Sequence, residues 1–416
     1  MVATSTAKLK GEPLEVVQDT VAAALYPSQP ITLKESSGRS GARAFLVSNE
    51  DRVLALIKVQ GDSGLNSHLN TQQRMKAATE ALRDHGIAPS VLMTGPDFYV
   101  EASAGTSVMK DFFHFDHDKA PCEDLAQLLA RVHAAPIDWW TPLKEAYIAR
   151  DPAIAGILGK APPYAPVWNL PFSGIDTGKL VMGMGNIPDA TTEAVLRLQI
   201  ETGVFEKVMC CDAFSPQTEA GRRQVVTHGD FKPDNVLCTD DGTLSAIDYD
   251  LTQVGPAVTD FGYMLPMWFG KMSFDFRRNF TRHYLEAAGL ACGEQDVQAF
   301  MLDCEVASLT SLPGLLANIY DKEIPLLRGV PHPTAKDGHS AGSVDDSPTG
   351  PEIVELLSEA VQKVRAEPAL AARCVREGLV TTLFATEGVG LPQLGSWLQH
   401  MCTSNMLRLF GIAPPS

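Results

Sequence analysis

An α+β fold, strand-rich at the start and helical thereafter, is predicted by three features of the sequence. Short apolar runs suited to strands crowd the early part of the chain: Ile31 to Lys34, Ala44 to Val47, Val53 to Val59, Val91 to Met93 and Phe98 to Ala102. Helical spacing of apolar residues dominates later, over 125–136, 191–208, 276–289, 297–320 and 352–376. Between the two regimes the β-branched Val225-Val226 leads into a polar loop, Thr227-His228-Gly229-Asp230-Phe231-Lys232-Pro233-Asp234-Asn235.

In chain order, Leu14, Val17, Val21, Ala24 and Leu25 sit at helical spacing, and Pro27-Ser28-Gln29-Pro30 stops that helix. A glycine-containing turn, Ser36-Ser37-Gly38-Arg39-Ser40-Gly41, joins two strands and lets backbone amides come close to phosphate oxygens. Lys58 is the one charge in the apolar run 53–59, which is unusual for a buried strand unless the lysine has a partner. A helix is expected over 70–85, then a strand, a Gly95-Pro96 turn and a last strand through Glu101.

The helix 125–136 ends at Pro136, with His133 read as a structural histidine and Trp139-Trp140 as core. Residues 141–190 form an irregular, Pro- and Gly-rich insertion, either a substrate lid or a partner-contact segment. Val236-Leu237-Cys238 and Leu244-Ser245-Ala246-Ile247 read as a hairpin across Asp240-Asp241-Gly242. His332 to Pro351 is polar and loop-like, followed by a helix pair broken at Pro368.

The polar loop holds the residue types that phosphoryl transfer requires. One carboxylate must orient and deprotonate an attacking hydroxyl, and oxygen ligands must hold a hard cation such as Mg²⁺. Asp230 suits the first role. Asn235, five residues on, and Asp248, thirteen further, suit the second, and Lys232 offers a positive charge for the transferring phosphate. Each alone is ordinary turn decoration; the ordered set is not.

His228-Gly229-Asp230 with Ile247-Asp248-Tyr249-Asp250 resembles the aminoglycoside phosphotransferase and choline/ethanolamine kinase branch of the protein-kinase-like families. Gly255 and Asp260, seven and twelve residues after Asp248, continue the match. The resemblance runs from about Leu33 to Tyr320. It implies two lobes: an N-lobe over 1–101 with a five-stranded antiparallel sheet and a helix, and a larger, mostly helical C-lobe over 102–416. It implies ATP and Mg²⁺ as cofactors. Asp230 and Lys232 would be catalytic, Asn235 and Asp248 would hold the metal, Ser40 and Lys58 would grip the phosphates, and backbone groups from Glu101 to Ser103 would meet the adenine.

The acceptor implied is a hydroxyl of a small metabolite, amine-bearing in the choline and ethanolamine case; aminoglycosides, sugars and a silent nucleotide-binding role are the alternatives. Two departures stand out. No acid lies near position 75, where the family places the partner of the strand lysine; Glu80 comes more than a turn later. The segment 261–269 keeps Trp268 but lacks the Asn, His and Glu of the choline kinases. Glu305 and Tyr320 either meet an ammonium group of the acceptor or lie at a packed rim.

The formal net charge of −16 argues against nucleic acid or an anionic membrane as partner. Eight cysteines without a C-x-x-C pair suggest reduced thiols, and the polar start lacks a signal-peptide core. A cytoplasmic location is expected, with no membrane span. Oligomeric state is not legible.

Overall fold

A computed structural model describes residues 2–36, 43–50, 52–59, 82, 87–103, 105–107, 121–148, 152–162, 201, 203–238, 242–249, 252–310, 350–379 and 382. The chain divides into two compact units, Met1–Tyr147 with Val225–Val254, and Ile148–Gln224 with Gly255–Ser416. Strands and helices together make an α+β fold.

The first unit is built on a six-stranded sheet. Its strands are β1 (Ala3–Thr4), β2 (Thr32–Ser36), β3 (Arg43–Asn49), β4 (Arg52–Val59), β5 (Val91–Thr94) and β6 (Phe98–Ala102), in the order β1-β5-β6-β4-β3-β2. In β4, Ala55, Ile57 and Val59 alternate into the core, as a period of two demands. They pack with Phe45 and Val47 of β3, Val100 of β6, and Val17 and Val21 of the Leu14–Leu25 helix.

The sequence predicts five antiparallel strands; the sixth is β1, which runs parallel to β5. Two residues carry no periodic signal. What brings them there is Asp97, in the turn before β6, whose carboxylate accepts hydrogen bonds from Leu9 N (2.9 Å) and Lys10 N (3.0 Å). Leu9 is fully buried, which anchors the segment. Of the helix expected over 70–85, only Leu82 is described, and the region of position 75 lies outside the described residues.

A second sheet in this unit joins β7 (Thr106–Ser107) to the hairpin that the sequence predicts. The strand β8 (Gln224–Thr227) enters the polar loop; β9 (Val236–Cys238) and β10 (Leu244–Ala246) follow, with sheet order β10-β9-β7. Leu244 pairs with Cys238 and Ala246 with Val236. The Cys122–His133 helix lies close, its Arg131 donating to Leu244 O (3.2 Å). His133 is buried at the helix end, and Trp140 is buried edge-on to Trp139 at 5.7 Å.

The second unit is mostly helical in its described residues. An aromatic cluster forms its core: the Phe261 ring meets Tyr284 at 4.9 Å and Phe300 at 5.1 Å, and Trp268 packs on Phe269. Asp260 is buried in the first turn of the Val258–Met267 helix. The helix expected over 191–208 is described only near its end, where Gly203, in the left-handed region at φ 74°, precedes a short Val204–Met209 helix. Among the described residues no helix is long and apolar enough to cross a membrane.

Helices Val258–Met267 and Glu294–Thr310 cross at Gly262, where an added Cβ would lie 2.8 Å from the Ala307 carbonyl carbon. The neighbour is backbone and cannot rotate away. Gly262→Val should therefore destabilise the protein by about 1–3 kcal/mol through overpacking. The check is the midpoint of urea unfolding, and an unchanged midpoint would show that the helices slide apart freely.

Candidate active site

Five of the residues singled out by the sequence make side-chain contacts within the first unit: Asp230 with Lys232 and Asn235, and Asp248 with Lys58. Asp230 sits just past Gly229, whose φ of 79° turns the chain sharply after β8. Its Oδ2 accepts hydrogen bonds from Lys232 Nζ (2.6 Å) and Asn235 Nδ2 (3.0 Å), and Asn235 Nδ2 also reaches Asp230 O (2.9 Å). Oδ1 of Asp230 is buried and accepts no hydrogen bond among the described residues.

Burial pushes the Asp230 carboxyl above its usual range. Lys232 pulls it back only in part, and the charge of Asp248 pushes it further. Burial opposes the charge on Lys232, yet Asp230 and Asp248 outweigh it and raise the ammonium above its usual value.

Asp248 follows β10 in a left-handed conformation, φ 68°, a region aspartate tolerates better than most residues. The preceding Ile247 N donates to Asn235 O (2.9 Å), which ties this strand end to the polar loop. Lys58 Nζ donates to Asp248 Oδ1 at 2.5 Å. Burial alone would raise the Asp248 carboxyl, but Lys58, helped by Lys232 and His228, brings it down to about 2. Lys58 stands in β4 opposite Tyr99 of β6 and Ala44 of β3, so the sheet fixes where its ammonium points.

His228 is a residue that sequence reasoning left without a role. Its Nδ1 accepts from Asp230 N (3.3 Å), which leaves Nε2 as the protonated nitrogen, facing Ile247 O at 2.9 Å. One buried ring thus braces both the Asp230 loop and the segment leading to Asp248. Tyr249, its ring tilted against the imidazole at 4.7 Å, shields that bridge. The signal was its position, a polar ring two residues past the apolar pair Val225-Val226.

Glu101 and Ser103 lie apart from this cluster in the sequence, on and just after β6. The Glu101 residue is buried; Ala102 N donates to Ser90 O (2.8 Å) and Ser103 N to Leu54 O (2.9 Å), so both of these amides are engaged within the unit. Ser40 lies outside the described residues. Glu305 is in the second unit, buried, with Oε1 on Arg277 Nη1 (3.1 Å) and Oε2 on Leu379 N (2.9 Å). Its carboxylate is engaged internally, which removes it as a partner for an acceptor's ammonium group. Tyr320 is outside the described residues.

The donor set suits a hard cation. Asn235 directs its amide nitrogen to Asp230, leaving the amide oxygen as a ligand, and Asp248 supplies a carboxylate. Among the described residues no group of three or more His, Cys, Asp or Glu forms a metal cage. Two protein oxygens are what Mg²⁺ needs when phosphates and water complete its shell.

A model of a phosphotransferase enzyme family matches residues 36–295. Among solved structures the chain is similar to an ethanolamine kinase of Plasmodium vivax, at 14% identity and a TM-score of 0.50, over 74% of this chain and 82% of that one. It is also similar to a choline kinase of Cryptosporidium parvum Iowa II, at 14% identity and a TM-score of 0.48, over 74% and 89%. A macrolide 2'-phosphotransferase of Brachybacterium faecium matches at 13% identity and a TM-score of 0.41, over 76% and 96%. No curated protein sequence matches the chain.

Proposed function

The chain belongs to the phosphotransferase enzyme family whose model spans residues 36–295, and from that premise we propose that it moves the γ-phosphate of Mg-ATP to a hydroxyl of a small-molecule acceptor. The observation that carries this reading is the Asp230 carboxylate. One oxygen is clamped by Lys232 and Asn235, while the other is buried and accepts no hydrogen bond among the described residues. That is how a base must be held: oriented through one oxygen, able to accept a hydroxyl proton through the other.

Asp230 Oδ1 takes the acceptor's proton as its oxygen attacks in line, and Lys232 holds the carboxylate and faces the developing phosphate charge. Asn235 and Asp248 hold Mg²⁺, which when bound neutralises phosphate charge. Lys58 and, in the glycine-containing turn, Ser40 bind the phosphates, and backbone groups from Glu101 to Ser103 meet the adenine. His228 keeps the base and the metal carboxylate in register. The division into a nucleotide-binding part over 1–101 and an acceptor-binding part over 102–416 belongs to the same proposal.

One experiment separates the acceptor classes: ADP release from Mg-ATP against choline, ethanolamine, amino alcohols, sugars, aminoglycosides and macrolides. Release stimulated by one class is the expected result and names the acceptor. Tight Mg-ATP binding without turnover on any acceptor would replace the enzyme with a silent nucleotide-binding protein. Absence of Mg-ATP binding in calorimetry would overturn the reading altogether.

A further inference from the structure

Lys58 and Asp248 lie 190 residues apart in sequence and meet at 2.5 Å. The Lys58 side chain is 12% exposed, and that of Asp248 36%. The oxygen that Lys58 holds, Oδ1, is one of only two that Asp248 offers to a cation. A second ammonium, that of Lys232, also acts on Asp248. A divalent cation arriving alone must therefore share the carboxylate with an ammonium or displace it, in a site already neutralised by positive charge.

A nucleotide changes both conditions, since its phosphates give Lys58 a better partner and bring negative charge with the metal. We propose that Lys58 is a gate on Asp248: it competes with free divalent cation for the carboxylate and yields when cation and a polyphosphate enter together. The proposal rests on the reading of Asn235 and Asp248 as the metal ligands. It makes Lys58 a positioning residue that governs the order of binding as well as a phosphate contact.

The test uses the full-length protein, Mn²⁺ as the probe, and loss of the free Mn²⁺ electron-spin-resonance signal as the readout, with no nucleotide added. Lys58→Met frees Asp248 and should tighten Mn²⁺ binding by about tenfold or more relative to wild type. Lys58→Arg keeps the charge and should bind Mn²⁺ as weakly as wild type. In Lys58→Met/Asp248→Asn the gain should vanish. Thermal melts of all variants establish that each is folded.

Mn²⁺ binding by Lys58→Met no tighter than wild type would overturn the gate, as would a gain that survives in the double variant. Mg-ATP binding by the wild type, measured in parallel, reports separately on the proposed function. Binding of Mg-ATP without a Mn²⁺ gain sinks the gate alone; a Mn²⁺ gain without Mg-ATP binding leaves Lys58 as a competitor for Asp248 but overturns both its yielding to a polyphosphate and the nucleotide site.

Discussion

Asp230→Asn is expected to lower turnover by about 10²–10⁴-fold, the share of rate a general base supplies, while Mg-ATP binding stays near that of the wild type. The two halves of the result have separate causes. Asparagine is isosteric and can still accept from Lys232 through its amide oxygen, so the loop held by Asn235 and His228 should keep its shape. Asn235 and Asp248 are untouched, so the proposed metal ligands remain. What is lost is a basic atom facing the acceptor hydroxyl. The wild-type pH profile should carry the same signature. A base works only when deprotonated, and burial raises the Asp230 carboxyl above the ordinary carboxylate value. Activity should therefore fall, as pH drops, at a higher pH than an exposed aspartate would give. Single-turnover assays with calorimetry on the same sample decide the point. Turnover within a few-fold of the wild type would remove Asp230 from the role of base.

The order Asp230, Asn235, Asp248 was legible because each residue type follows from the chemistry of charge and proton transfer, and local spacing sufficed to find it. The hairpin was legible because β9 and β10 are neighbours in sequence as well as in space. Contacts between distant segments were not. Lys58 could be flagged as a misplaced charge, but its contact with Asp248 depends on how the hairpin packs against the end of β4, which no local pattern encodes. The same limit hid β1, whose docking is set by Asp97 far along the chain. Trp268 matched a motif position, yet it packs against Phe269 and Phe280 in the second unit's core, where an aromatic's size decides its use. Glu305 was open between an exposed and a packed role, and the arginine that decides for packing lies on another helix, 28 residues earlier.

That arginine gives the largest stability effect. Arg277→Met should destabilise the protein by about 3–5 kcal/mol at pH 8, because it strands a buried carboxylate and removes the donor to Arg376 O. Arg277 and Glu305 are 5% and 6% exposed at their side chains, and Arg277 Nη2 also donates to Arg376 O at 2.8 Å. Burial raises the Glu305 carboxyl to about 7 even though Leu379 N and Arg277 both lower it. The sign with pH follows. Between the ordinary glutamate value and about 7 the folded protein binds the extra proton, so stability from this group is present at low pH and falls as pH rises through about 7. Removing Arg277 takes away one of the lowering influences, so the variant's deficit should be largest at pH 8 and shrink toward pH 5, where Glu305 is protonated and neutral. Urea unfolding at the two pH values measures this directly. Arg277→Met/Glu305→Leu removes both charges and should recover most of the loss, since an apolar pair of similar volume replaces a buried ion pair at little cost. A deficit that is the same at both pH values, or that the second substitution fails to reduce, would mean that Arg277 stabilises the unit through its packing and its bond to Arg376 O, and that the Glu305 charge contributes little.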